Sequence, residues 1–249
     1  MIHSYGPEPD QYAELSLPEG DRRGVAVVIH GGFWRAAYDA SLGRELARDL
    51  CERGWVAYNI EYRRVGAGGG WPTTLQDVAD AIDHLAELDL DLERVVTIGH
   101  SAGGQLAVWA AGRPGLPPAA PGSSPLVAVT GAVSQAGVLN LRAGAAQGVG
   151  GTAILDLLGG TPDEVPERYA WADPMARVPL PLPVVCVHGR DDESVPFVQS
   201  ETYVTAAKEA GGGVELVECD GGHMAHVDPA SKAWGAVVSV LPRLGRPMT

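Results

Sequence analysis

Four short stretches of this 249-residue chain carry residue types suited to acyl transfer. The first is GHSAGG, Gly99 to Gly104, set between the apolar runs RVVTI and QLAVWAA. A serine hydroxyl is a weak nucleophile and needs an adjacent base. A nucleophilic serine at a strand-to-helix turn needs small neighbours, because its backbone is strained and the turn is tight. Gly99, Ala102 and Gly103 meet that need around Ser101. The second stretch is DGGHMAHVDP, which offers His223 as the base and His226 as its competitor three residues on. His223 follows the glycine pair and lies nearer the preceding apolar run, which favours it. The third is HGRDDESVP, residues 188–196, with Asp191, Asp192 and Glu193 as candidates for the acid that holds the imidazole tautomer. The fourth is HGGFW, His30 to Trp34, where adjacent glycines let consecutive backbone N–H groups cup an anion. Each stretch alone also reads as an ordinary turn or loop. Together, in this order, they read as a nucleophile, an acid, a base and an oxyanion cradle.

Such groups need a scaffold that brings four distant loops to one place. Apolar patterning supplies it. GVAVVIH (24–30), WVAYNIEY (55–62), RVVTIGH (94–100), LVAVTGAVSQ (126–135) and PVVCVHG (183–189) are the near-continuous runs of strands buried on both faces. AELSLP (13–18) alternates, and VELVEC (214–219) is the last strand. Between them, helical periodicity places Leu42, Leu46 and Leu50 on one face over 41–52. A second helix covers 73–88, capped by Thr73 or Thr74, and others cover 103–111, 197–210 and about 229–241. Residues 137–182 hold short helical pieces and no clean strand. Alternating strands and helices imply an α/β fold, a mostly parallel sheet with helices on both faces. Ligands then bind at the carboxyl ends of the strands, where all four motifs lie.

Bulk properties narrow the partners. A formal net charge of −13 argues against nucleic acid and anionic membranes as partners. The three cysteines, Cys51, Cys186 and Cys219, are far apart and form no C-x-x-C pair, the pattern of free thiols in a reducing compartment. The N-terminal residues carry no signal-peptide pattern, and no apolar run approaches the roughly 18 residues of a membrane span. The expectation is one cytoplasmic domain over 1–249, acting on a small molecule without metal or cofactor, with a homodimer as an option.

HGGFW, GHSAGG, HGRDDESVP and GGHMAHVDP together resemble the α/β-hydrolase superfamily, over about residues 20–240, and in particular its small esterase and arylformamidase branch. HGGFW is similar to the H-G-G-x-W pattern of kynurenine formamidases. EYRR (61–64), with the WP and LQDV that follow, resembles a stretch of hormone-sensitive-lipase-like esterases. The resemblance implies a triad of Ser101, Asp192 and His223, in the superfamily's chain order. It implies oxyanion donors at the backbone N–H of Gly32, Phe33 and Ala102, and a short lid insertion over 137–182. The oxyanion loop would then set Phe33 and Trp34 beside the nucleophile, with Trp34 touching substrate. A tryptophan there also reads as a core anchor, Arg63 and Arg64 read as structural or solvated, and His100 as packing. The implied activity is serine-dependent hydrolysis of small carboxylic esters or aryl-formamides. The alternatives are a lactone or small-amide hydrolase on the same triad, or a binding protein on a hydrolase fold.

Overall fold

The computed structural model describes residues 1–245, so the last four positions of the expected domain lie outside the described residues. The strands are β1 Ile2–Ser4, β2 Tyr12–Ser16, β3 Val25–Ile29, β4 Val56–Ile60, β5 Val95–His100, β6 Gly131–Gln135, β7 Val184–Gly189 and β8 Val214–Cys219. The α-helices are α1 Ser41–Glu52, α2 Thr73–Asp83, α3 Ala102–Ala111, α4 Leu141–Gln147, α5 Ala153–Leu158, α6 Pro166–Ala172, α7 Val198–Glu209 and α8 Lys232–Val240. All the strands join one sheet in the order β1-β2-β4-β3-β5-β6-β7-β8. β2 pairs antiparallel with β1 and β4, and every other pair is parallel.

Period-2 alternation decides which side chain feeds which layer. Val25, Val27 and Ile29 of β3 face one side, with Leu75, Val78 and Ile82 of α2 and Leu106 of α3. Ala26 and Val28 face the other, with Leu46 and Leu50 of α1 and Trp234 and Val237 of α8. A third cluster joins Ala132 of β6 and Val184 of β7 to Tyr203 and Val204 of α7. Helices therefore cover both faces, and the central strands are buried throughout, as their β-branched runs imply.

Several boundaries differ from the sequence reading, each for a physical reason. β1 has three residues and exists through its pairing with β2, so it carries no signal of its own. β6 begins at Gly131 rather than 126. Before it, Leu126 is 78% exposed. The Leu126 and Val127 N–H groups donate to Asp83 Oδ1 instead of a neighbouring strand. α2 has Pro72 at its N-cap and ends at Asp83 in a 3₁₀ turn. Thr74, expected as a cap, donates its hydroxyl to the Arg63 carbonyl.

The segment between β6 and β7 holds α4, α5 and α6. Its residues Ile154, Leu157, Leu158, Tyr169 and Ala172 belong to the same apolar cluster as β3 and α2. It is further tied down by Trp71 N–H on the Leu157 carbonyl at 2.7 Å and Trp109 Nε1 on the Trp171 carbonyl at 3.0 Å. The segment is a packed wall of the domain.

Candidate active site

Ser101 sits between β5 and α3 with φ 56° and ψ −120°, a left-handed conformation costly for a residue with a Cβ. Its neighbours explain how the turn closes. A Cβ on Gly99 would lie 2.0 Å from the Gly103 carbonyl oxygen, and one on Gly103 would lie 2.1 Å from that of Ile29. Only hydrogen fits at either place. The Ser101 N–H donates to the Gln135 carbonyl at 2.8 Å, which ties the turn to the end of β6. The Ser101 side chain does not cap α3.

The loop after β3 lies against this turn. A Cβ on Gly31 would stand 3.0 Å from Ser101 Cβ. Phe33 and Trp34 follow with φ 53° and 55°, consecutive strained residues held by packing. Below them, His30 stacks on Tyr62 at 4.4 Å and its Nε2 lies 2.9 Å from Glu61 Oε1. The Tyr62 hydroxyl donates to the His30 carbonyl. Burial alone would raise the Glu61 carboxyl, but hydrogen bonds from His30 and from the Tyr62 and Ala40 amides hold it below its ordinary value. Among the described residues, the N–H groups of Gly32, Phe33 and Ala102 have no hydrogen-bond partner and stand as unused donors.

Asp192 follows β7 and His223 follows β8. His223 Nδ1 donates to Asp192 Oδ2 at 2.7 Å, which leaves Nε2 to take or give a proton. Asp191 and Glu193 are exposed and Asp192 is buried, so one acid of the three turns inward. The other Asp192 oxygen accepts from the Ser194 and Val195 amides at 2.9 and 2.8 Å. Burial would raise this carboxyl; hydrogen bonds from His188, His223 and the Val195 amide override it and hold Asp192 far below the usual carboxylate range. His226 bonds to no acid, and its ring is buried. Burial first, then the nearby His188, pushes its pKa down to about 4. A groove of about 440 Å³ opens beside His223, lined by Asp191, Glu193, Ser194, Gly222, Met224 and Ala225.

Sequence reasoning missed His188. Its Nε2 reaches the Val195 carbonyl at 3.0 Å and Asp192 Oδ2 at 3.3 Å, while Nδ1 pairs with Ser200 Oγ at 2.8 Å. His188 opens the HGRDDESVP stretch, but nothing in the residue string says that its ring turns back onto Asp192. Trp34, expected to touch substrate, is a core residue instead. It is 1% exposed and donates Nε1 to Gln105 Oε1 at 3.0 Å. Gln105 passes the link on to the Ala172 carbonyl, so the loop after β3 is fastened to the α4–α6 wall. Phe33 touches the same wall, because a Cβ on Gly150 would meet its ring at 2.4 Å. Arg63 forms a bidentate pair with Asp77, and Arg64 binds Glu61 and Asp10; both are structural.

Residues 14–206 match the family model BD-FAE. The chain is 28% identical over 237 residues to a protein of Oryza sativa subsp. japonica named as a probable isoprenylcysteine alpha-carbonyl methylesterase, ICME, covering 87% of this chain and 56% of that protein. It is 29% identical over 206 residues to LipM of Mycobacterium tuberculosis, named as a probable carboxylic ester hydrolase, covering 77% of this chain and 47% of LipM. The chain thus spans about half the length of the curated relatives it matches. Among solved structures, a thermophilic esterase of Thermogutta terrifontis with propionate bound superposes with a TM-score of 0.75 at 24% identity, over 98% of this chain and 92% of that one. A truncated carbohydrate esterase from gut microbiota superposes with a TM-score of 0.80 at 19% identity, over 97% and 94%. Among the described residues, no helix is long and apolar enough to cross a membrane. With the family model matched over most of its length and the sheet superposing on solved esterases, this chain belongs to the BD-FAE family and has the α/β-hydrolase fold.

Proposed function

We propose that the protein hydrolyses small carboxylic esters through an acyl-enzyme on Ser101. The observation that carries this reading is the His223–Asp192 pair at 2.7 Å on the same sheet end as a strained serine at a strand-to-helix turn. The esterase names of its relatives support the substrate class. Ser101 Oγ attacks the ester carbonyl while His223 Nε2 takes its proton. Asp192 keeps Nδ1 protonated and balances the imidazolium that forms. The unused N–H groups of Gly32, Phe33 and Ala102 hold the tetrahedral oxyanion. His223 then gives its proton to the leaving alcohol, and water repeats the sequence to release the acid.

Small substrates follow from the wall. Phe33 packs against Gly150, and Trp34 is bonded through Gln105 to the Ala172 carbonyl; we take this tied-down segment beside the loop as the boundary of the acyl side. The HGGFW likeness to formamidases extends the reading to aryl-formamides, whose acyl group is smaller still. The test is kcat/KM across acetyl, butyryl and octanoyl esters of one phenol, beside N-formylkynurenine. We expect acetyl or butyryl to lead, since each added methylene changes discrimination by about 1–3 kcal/mol. Rates rising towards octanoyl overturn the small-acyl reading. Absence of ester turnover, with no labelling of Ser101 by a fluorophosphonate, overturns the whole of it.

A further inference from the structure

The residue before the nucleophile does more than pack. His100 ends β5, is 4% exposed, and points its ring across the sheet end to the loop that carries the base. Its Nε2 lies 3.0 Å from the His223 carbonyl oxygen. A carbonyl only accepts, so His100 carries its proton on Nε2 and leaves Nδ1 bare. That Nδ1 is buried and has no partner among the described residues. A buried nitrogen left without a partner is destabilising, and a purely packing side chain of this size would avoid it. The His100 ring also lies 4.5 Å from the His223 ring, centroid to centroid, at 46°. The His226 ring stacks with it at 6.0 Å.

We infer that His100 is a positioning residue that registers the base on the nucleophile: one hydrogen bond from the elbow to the His223 backbone sets where the imidazole stands relative to Ser101. This rests on the proposed roles of Ser101 and His223. The geometry suits the task. His100 and Ser101 are adjacent, so the donor and the nucleophile move as one rigid unit. The His223 ring is held by its bond to Asp192, and the turn after it by Gln135 Nε2 on the His226 carbonyl and Ser231 Oγ on the Ala225 carbonyl; the bond from His100 ties the His223 backbone itself to the residue beside Ser101. Burial, and then the neighbouring rings of His223 and His226, push the His100 pKa down to about 3, so it presents a neutral ring to His223. The groups facing it are His223 and His226, with Asp192 beyond them. A neutral neighbour does not repel the imidazolium that forms during turnover.

The test compares His100→Gln with His100→Met. The two side chains are unbranched and near in size, and differ in whether they carry an N–H donor at the end. Misplacement by about 1 Å costs about a hundredfold in rate. His100→Met should therefore lower kcat about 30- to 100-fold with KM changed less than about threefold, and the rate of fluorophosphonate labelling should fall in step. His100→Gln should stay within about fivefold of the parent in both. A structural role alone would lower both melting midpoints without separating the two kcat values, and equal kcat in the two variants overturns the inference. Ser101→Ala in the same assay separates the failures. Full activity there removes the nucleophile reading and this one with it. An inactive Ser101→Ala beside a fully active His100→Met removes only the role given to His100.

Discussion

The two halves of the site are built by different means. At the ends of β3 and β5, in the middle of the sheet, the backbone itself is the device. Phe33, Trp34 and Ser101 all sit at φ near +55°, and glycines at 99 and 103 let main chains touch where a Cβ would collide. At the ends of β7 and β8, towards the sheet edge, side-chain hydrogen bonds do the holding. Asp192 accepts from His223 and from two backbone amides, and His188 and Ser200 close the shell. β8 is only half-buried. The contrast matches the chemistry each half would perform. Oxyanion donors and a nucleophile need a fixed frame, and strain survives only where dense packing enforces it. A base and its acid need one proton held in the right tautomer, which a hydrogen-bond shell supplies.

Substitutions that leave each frame standing should test the contrast most directly. Ser101→Ala removes one hydroxyl from an otherwise intact turn, and kcat should drop about a millionfold, with an unchanged circular dichroism spectrum. Near-parental turnover would remove Ser101 from the mechanism. In the outer half, Asp192→Asn should cost about 10⁴ in kcat by favouring the wrong imidazole tautomer. Asp191→Asn should change it less than about twofold, because that side chain is exposed. Reversed severities would mean that the acid is misassigned by one position. Gly103→Ala should break the inner half through the backbone: its methyl would stand 2.1 Å from the Ile29 carbonyl oxygen. A loss of about 3 kcal/mol in urea unfolding is expected, as for other overpacked interiors. A variant as stable as the parent would show that the inner frame can relax.

The inner half was the more legible one, for the same reason. Its devices are steric, and sterics restrict residue type: the Gly-x-Ser-x-Gly spacing is the set of residues that can make the turn. The buried runs of β3, β5 and β7 were equally plain, because strands covered on both faces are apolar throughout. The outer half's cooperating groups were not legible. His188 reaches Asp192 only because the chain after Gly189 turns back, and the residue string fixes no such turn. Trp34 shows the limit within the inner half. Its type fits a core and a ligand surface alike, and the bond to Gln105, 71 positions away, decides the matter. The segment 137–182 shows it again. TAILDLLGG has the same apolar content in a hinged flap as in a packed wall, and long-range contacts with Trp71 and the core make it a wall.

The smallest effect expected belongs to the buried rings behind the outer half. Burial holds His226 near pKa 4 and His100 near 3, both below the usual histidine value of about 6.5. The unfolded chain therefore binds more protons than the folded one between about pH 6.5 and pH 4. Stability rises with pH across that window, and acid draws the protein towards the unfolded state. Asp192 acts elsewhere. Its carboxyl is depressed in the fold, so its contribution is present above the ordinary carboxylate range and is lost only as pH falls below it. Between pH 7.5 and pH 5, His226 and His100 should each account for about 2 kcal/mol of lost stability. His226 is the one to remove, because its ring bonds to no acid and the bond from Gln135 is to its backbone carbonyl. His226→Met puts an apolar side chain of similar bulk in its place and takes the titration away. Groups that titrate in both proteins, such as the raised Asp80 and Asp173, cancel in the comparison. Urea unfolding at the two pH values should show the variant losing about 2 kcal/mol less than the parent. Parallel losses would mean that His226 is solvated in the folded protein, and that the shell behind Asp192 is looser than its hydrogen bonds indicate.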